Sequence, residues 1–170
     1  YKELLANKFL DYHLSEKISV SDQELVSFYN KNRTSFQLKK ARARIVHYLF
    51  DNIDDANSSK RILLYGDISQ KNELTERFFP EKKMVTEGKL ISVLDKAIFK
   101  SRQQHSILGP LRSEFGYHVV EISEYFPANS YLPVAEVKNI IRERIGNNKR
   151  NIEYKNLLKT LKDKYDIKTP

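Results

Sequence analysis

Hydrophobic residues recur at helical spacing near the start of the chain, at Leu5, Phe9 and Tyr12. Residues 21–24 (Ser-Asp-Gln-Glu) then have the form of a capping box, in which the Ser and Glu side chains bind free N–H groups at the start of a helix. The pattern therefore predicts two short amphipathic helices, the second of which runs to about Lys31.

A period of two replaces the helical spacing at Ala41 and predicts a β-strand that ends near Phe50. One side of this strand carries apolar residues and a histidine: Ala41, Ala43, Ile45, His47 and Leu49. The other side carries Arg42, Arg44, Val46, Tyr48 and Phe50. We expect the two arginines to be solvated charges on an outward face.

Helical spacing returns over residues 59–65, 71–79 and 90–98, with a turn and helix start before the first of these and Pro80 after the second. Residues 81–88 are charged and show no clear period, so we expect an irregular segment there. Residues 107–112 and 116–124 alternate again and are separated by a short turn, which predicts a β-hairpin.

The last part of the chain has the pattern of a linker, over residues 127–133, followed by a long helix interrupted at residues 146–148 (Gly-Asn-Asn). Its apolar stripe consists of Val134, Val137, Ile141 and Ile145, then Tyr154, Leu158, Leu161 and Tyr165. Because an isolated helix gains little stability without packing, this stripe needs a partner. We expect the N-terminal helices to supply it.

Composition excludes several kinds of site. The chain has no cysteine, which removes disulfides, thiolate catalysis and Cys-based zinc sites. It has no Gly-x-Ser-x-Gly motif and no glycine-rich phosphate loop, so hydrolase and kinase functions are set aside. No long uncharged apolar run and no charged-then-apolar leader are present, so we expect a soluble chain whose targeting segment, if any, lies outside these residues.

The net charge is +8, and most of the excess lies in residues 134–170, which hold ten basic and five acidic side chains. Such a surplus is compatible with a basic adaptor that binds nucleic acid or an anionic membrane surface. A lysine-rich solvated helix face explains it equally well. We favour the solvated face, because nothing else in the sequence has the pattern of a nucleic-acid-binding module.

Two of the four histidines carry the most promising chemistry. His47 shares its strand face with Ile45, and His118 shares its face with Val120 and Ile122, so both imidazoles should point toward an apolar interior and could meet. A buried histidine is more often a hydrogen-bonded core residue than a catalyst. Without Cys or clustered carboxylates the pair also makes a poor metal site, so we predict no metal and no cofactor.

Three motifs in this order resemble the parvulin-type (PpiC, rotamase) peptidyl-prolyl isomerases, in the form found in SurA- and PrsA-like envelope foldases. Residues 46–50 (Val-His-Tyr-Leu-Phe) resemble the first-strand His-Ile-Leu motif, and residues 88–99 resemble the family's Gly-x-Met…Phe-(Glu/Asp)-x-Ala-x-Phe helix. Residues 109–118 (Gly-Pro-Leu-Arg-Ser-Glu-Phe-Gly-Tyr-His) resemble its hairpin and are the most specific of the three.

The resemblance implies an α+β fold with a small antiparallel or mixed sheet flanked by helices. It divides the chain into N-terminal helices of a chaperone module (1–38), a parvulin-like isomerase domain (39–126), and a linker with a C-terminal helix that packs on the N-terminal helices (127–170). The resemblance implies that His47 and His118 are catalytic. The residues implied to bind substrate are Leu90, Leu94, Phe99, Ser113 and Phe115.

The site implied by the resemblance departs from the family pattern. Leu90 stands at the Met position and Leu94 at the Phe position, so the proline pocket loses an aromatic face. Between Phe79 and Gly88 there is no Gly-Gly-Asp-Leu-Gly segment and no obvious Asp or Cys partner for the histidines. We therefore expect part of the site to be missing.

The resemblance further implies a foldase of the bacterial periplasm or cell envelope that binds unfolded or proline-containing segments of envelope or secreted proteins and does not bind nucleic acid. Because the site is degenerate, we favour a chaperone with weak or lost peptidyl-prolyl cis-trans isomerase activity. The alternative is an active isomerase that uses His47 and His118. A membrane tether outside these residues is left open.

Overall fold

The computed structural model describes residues 8–9 and 18–165. Most of the predicted first helix, including Leu5 and Tyr12, lies outside the described residues. The chain consists of two compact units. The sheet unit is Gln37–Tyr131, and the terminal unit is formed by the two ends of the chain, up to Phe36 and from Leu132.

The fold is α+β, and the helices and strands follow the predicted order except at residues 81–86, which form a strand where the sequence predicts an irregular segment. The helices are α1 (Asp22–Lys31), α2 (Ile53–Tyr65), α3 (Ile68–Phe78), α4 (Ser92–Ser101) and α5 (Val134–Tyr165), with a short 3-10 helix at Arg33–Phe36. The strands are β1 (Arg42–Phe50), β2 (Glu81–Thr86), β3 (Ser106–Ser113) and β4 (Gly116–Phe126).

The four strands form one antiparallel sheet in the order β2-β1-β4-β3, and hydrophobic clusters cover both of its faces. On one face Ile45 and Ile122 pack with Ile98 of α4. On the other face Tyr48 and Phe50 pack with residues of α2 and α3. The expectation that this second side of β1 faces outward is therefore wrong for Tyr48 and Phe50, because two helices cover it.

The expectation of an irregular segment over residues 81–88 is also wrong, since Glu81–Thr86 forms strand β2. It pairs antiparallel with β1, with Val85 opposite Ala43 and Glu81 opposite His47. Val85 is buried in the same cluster as Ile45, whereas its neighbours in the strand are exposed or half-buried. Because only one residue of this edge strand is fully buried, its hydrophobic period is too short to recognise in the sequence.

The terminal unit is held by the packing of α1 against α5. The predicted capping box is confirmed, because Ser21 Oγ accepts from the Glu24 N–H and the Glu24 carboxylate accepts from the Ser21 N–H. Leu25 of α1 and Val137 and Ile141 of α5 are buried together. This cluster fixes the N-terminal half of α5.

Helix α5 runs without a break from Val134 to Tyr165, so the predicted interruption at residues 146–148 is wrong. A glycine inside a helix costs about 1 kcal/mol relative to alanine, which lowers stability without ending the helix. Beyond Ile145 the stripe is largely exposed, including Tyr154, Leu158 and Tyr165. No helix among the described residues has both the length and the apolar character needed to cross a membrane.

Candidate functional site

The two histidines meet on one face of the sheet, at the centre of the β1–β4 pair. In the register of these strands His47 lies opposite Val120 and Leu49 lies opposite His118, so all four side chains point to the same face. His47 Nε2 and His118 Nδ1 are 2.8 Å apart, a hydrogen-bond distance, and the two rings are 16° from parallel. His118 is only 3% exposed.

Ser113 extends this contact toward the β3–β4 turn. Its hydroxyl is 2.6 Å from His118 Nε2 and accepts a hydrogen bond from the Phe115 N–H at 3.0 Å. The turn is tight at Gly116, where φ is +126° and a Cβ would lie 2.5 Å from the Phe50 carbonyl oxygen. Glycine at this position therefore lets the hairpin bring Ser113 and His118 together.

Glu81 places a carboxylate beside His47, where the sequence predicts no Asp or Cys partner. The carboxylate lies 3.9 Å from His47 Nδ1, because strand β2 sets Glu81 directly opposite His47. It also forms an ion pair with Lys83. The alternation of Glu81, Lys83 and Val85 on one side of β2 is the only signal in the sequence that could have revealed this contact.

The electrostatics of the site keep both imidazoles neutral at pH 7. Burial is the main cause that lowers the pKa of His47 and of His118 below the usual value. For His47, the neighbouring imidazole and Lys83 lower the pKa further, whereas Glu81 raises it. Hydrogen bonding with Lys83 lowers the pKa of Glu81, so its carboxylate is ionised. The result is a row of polar groups, Ser113–His118–His47–Glu81, which we call the polar row.

The residues predicted to line a proline pocket fall into different environments. Leu94 and Phe99 are 5% and 6% exposed and belong to the core cluster on the α4 face. Leu90 is half-buried and packs against the same cluster. Phe115, at 58% exposure, stands at the turn beyond Ser113. The structure thus joins the side chains of three predicted site residues, His47, His118 and Ser113, by hydrogen bonds. The catalytic and substrate-binding roles of all the predicted site residues stay predictions.

Among the residues that the structure describes, no group of three or more His, Asp or Glu side chains is placed to hold a metal ion. The polar row contains two histidines and one carboxylate, but Glu81 reaches only His47. Hydrogen bonds join Ser113, His118 and His47 of the row.

Residues 20–139 match the family model of the PPIC-type PPIASE domain. This match covers well over half of the chain. The chain belongs to the PPIC-type peptidyl-prolyl isomerases. Every residue of the polar row lies inside the matched region, as do the three motifs described above.

Similar proteins include foldase proteins PrsA of several bacteria. The chain is 23% identical to that of Clostridium perfringens strain SM101, covering 99% of the chain and 53% of the relative. It is 28% identical to that of Caldanaerobacter subterraneus subsp. tengcongensis, covering 96% and 50%. The chain therefore spans about half the length of the curated relatives it matches.

Similar solved structures include a SurA-like chaperone of Campylobacter jejuni, with 19% identity, a TM-score of 0.46, and coverage of 99% of this chain and 70% of that one. PrsA of Bacillus cereus is 15% identical with a TM-score of 0.45, covering 99% and 84%.

Proposed function

We propose that this chain is a folding factor that binds unfolded client polypeptides and carries a weak peptidyl-prolyl isomerase centre at the polar row. The observation that carries the proposal is the continuous hydrogen-bonded contact from Ser113 through His118 to His47, with the Glu81 carboxylate at its end. Polar groups held in fixed positions around a buried imidazole can stabilise a twisted amide, and a purely apolar core would not contain them.

Isomerisation of an X-Pro bond requires no covalent step. The barrier of about 18–20 kcal/mol comes from amide resonance, so a site accelerates the reaction by favouring the twisted amide. In this chain, neutral imidazoles offer fixed hydrogen-bonding groups without the solvation that charged groups would carry. The proline ring would rest on Leu90, which packs against the hydrophobic cluster on the same face of the sheet as the histidines.

The expected activity is weak for a specific reason. A leucine at position 94 gives the proline ring dispersion contact but no aromatic face, and Leu94 turns most of its surface into the core. The grip on the ring therefore depends on the half-buried Leu90. Weaker binding of the transition state lowers the rate of isomerisation even though the polar row is intact.

A second candidate function is favoured by the same burial of Leu94. If Leu94 leaves no space for a proline ring, the polar row is a structural element and the chain acts only by binding unfolded clients. Under this alternative the two imidazoles are kept for stability, because removing one would leave the other without a hydrogen-bond partner. The clients are the same in both cases: unfolded or nascent polypeptides, including proline-containing segments, of envelope or secreted proteins.

The proposed compartment is the bacterial periplasm or cell envelope. It is supported by the family and by relatives named as PrsA foldases and SurA-like chaperones. Fractionation of cells that express the natural protein tests it: recovery with envelope markers is expected, and recovery with cytosolic markers would contradict it.

A protease-coupled assay on short X-Pro peptides tests the isomerase, next to suppression of aggregation of a chemically unfolded protein. We expect slow turnover that His118→Ala abolishes, whereas the exposed His105→Ala leaves it unchanged. Aggregation suppression should persist in both variants. Suppression without any turnover in the unmodified protein would favour the second candidate, and the absence of both activities would contradict the proposed function.

A further inference from the structure

A groove runs along the terminal unit between α1 and α5, with a volume of about 490 Å³. Its apolar part is made by Phe28 of α1 and by Ile145 and Ile152 of α5. Phe28 and Ile145 are half-buried, and Ile152 is 49% exposed. These three side chains form a strip that begins where the buried cluster of Leu25 and Ile141 ends.

Three cations border this strip: Lys31, Arg144 and Lys149. Lys149 is engaged, since it lies 2.6 Å from a Glu24 carboxylate oxygen and donates to the Ser19 carbonyl. Among the described residues, no carboxylate lies within ion-pair distance of Lys31 or Arg144. Of the described residues that line the groove, Glu24 alone is acidic, so these residues carry a surplus of positive charge around an apolar strip.

Charge and shape together select one kind of occupant. An apolar strip removes aliphatic or aromatic side chains from water, which is favourable. The two available cations attract carboxylates placed beside those side chains and repel lysines and arginines. A purely hydrophobic peptide would contact only the apolar strip. A basic peptide would be repelled by the two cations.

We propose that the α1–α5 groove binds client segments in which aliphatic or aromatic residues are flanked by Asp or Glu. This inference rests on the proposed function as a client-binding folding factor and names the chemical class of segment that the terminal unit selects. It assigns the apolar contact to Phe28 and Ile152 and the charge selection to Lys31 and Arg144.

Binding of fluorescent twelve-residue peptides with a common Leu-Phe-Leu centre tests the selection. Peptides with Glu flanks should bind roughly ten-fold more tightly than those with Lys flanks, with Ser flanks between them, and the difference should shrink as salt is added. The assay uses the full chain and fluorescence anisotropy. Equal binding of the Glu and Lys peptides at low salt would overturn the proposal.

Matched variants assign the binding to the groove. Arg144→Glu should weaken binding of the Glu peptide by roughly five-fold, whereas Lys155→Glu, an exposed cation of the same helix outside the groove, should leave it unchanged. Ile152→Ser should weaken all three peptides, whereas Ile140→Ser, which is equally exposed at 49%, should weaken none. Equal effects in both members of a pair would place the binding elsewhere.

A photo-cross-linking residue at Asn148, which lines the groove, identifies the occupant by mass spectrometry. Cross-links to the Glu peptide support the proposal. Cross-links to residues 1–17 of the same chain or to a second copy, with the peptide excluded, overturn it. If the Glu peptide fails to bind but the chain still suppresses aggregation, the groove assignment fails and the proposed function survives.

Discussion

At the scale of the residue, the position of the proton between the two imidazoles determines how the polar row works. Ser113 Oγ already accepts from the Phe115 N–H, so its own hydrogen is available to His118 Nε2. A neutral His118 then carries its proton on Nδ1 and donates to His47 Nε2. His47 in turn carries its proton on Nδ1, the nitrogen that faces Glu81. The opposite tautomers would turn an unprotonated nitrogen toward a carboxylate.

The charges on β2 should shift the titration of His47 in opposite directions. Glu81 raises the pKa of His47 and Lys83 lowers it, because a carboxylate stabilises the imidazolium and an ammonium opposes it. We expect Glu81→Gln to lower the pKa of His47 and Lys83→Gln to raise it, measured by NMR titration of the ring nitrogens.

The control for that titration is Glu76→Gln, an exposed change of the same charge on α3, which packs on the other face of the sheet. It should leave the pKa of His47 where it is in the unmodified protein. A shift of the same sign for Glu81→Gln and Lys83→Gln would show that neither charge acts on His47 directly.

The buried imidazoles should also make stability depend on pH. Burial lowers the pKa of His47 and His118 in the folded state, so the unfolded state binds more protons below its own histidine pKa of about 6.5. The stabilisation is therefore complete above about pH 6.5 and is lost as the pH falls through the lowered folded pKa. Measured by urea unfolding, the free energy of unfolding should fall as the pH is lowered below about 6.5.

The contribution of the pair is isolated by comparison with two variants. His118→Asn should flatten the pH profile, because one titrating group is removed and its partner gains access to water. His105→Asn, at an exposed position, should leave the profile as it is. A steep profile that persists in His118→Asn would assign the pH dependence to other groups.

Most of the polar row could be predicted from sequence, and one member could not. His47 and His118 lie in strands whose alternation is clear, so the sequence places them on buried faces. Ser113 lies in a hairpin with a specific motif. Glu81 follows a proline and precedes two lysines, and its importance depends on a strand register that only the pairing of β2 with β1 reveals.

At the scale of the element, the errors have a common physical origin. The sequence predicts neither strand β2 nor an unbroken helix α5, because local composition does not report long-range pairing. The charges of residues 81–83 are compatible with an edge strand, whose open side faces solvent. Gly146 is compatible with a helix, because the hydrogen bonds on either side of it maintain the helical conformation.

The two conformations of glycine in this chain give a prediction about helix α5. Gly146 is helical, and a Cβ at this position would meet no atom within 4 Å. Gly146→Ala should therefore raise the free energy of unfolding by about 0.5–1 kcal/mol, since alanine has the higher helix propensity. Thermal unfolding followed by circular dichroism at 222 nm measures the change.

Gly116→Ala is the matched opposite case. Its φ of +126° is unfavourable for alanine, and the added Cβ would lie 2.5 Å from the Phe50 carbonyl oxygen. This variant should lower stability and disturb the contact between Ser113 and His118. A gain in stability from Gly116→Ala, or a loss from Gly146→Ala, would contradict the backbone conformations described here.

At the scale of the whole molecule, each unit has its own hydrophobic core. The core of the terminal unit contains Leu25 and Ile141, and that of the sheet unit contains Ile45 and Ile122. The polar row belongs to the sheet unit, and the α1–α5 groove belongs to the terminal unit. The proposed catalytic and client-holding activities therefore depend on different sets of buried residues.

Separate cores predict that the two activities can be lost separately. Ile141 is fully buried, and Ile141→Ala should destabilise the terminal unit by about 2–5 kcal/mol because it leaves a cavity between α1 and α5. Hydrogen exchange should then speed up in α1 and α5 while β1 and β4 stay protected. Suppression of aggregation should fall, whereas turnover of a short X-Pro peptide should not, because that substrate needs only the polar row. His118→Ala should abolish turnover of the peptide and leave suppression of aggregation unchanged. A single variant that removes both activities while leaving the exchange of the other unit unchanged would contradict this division of labour.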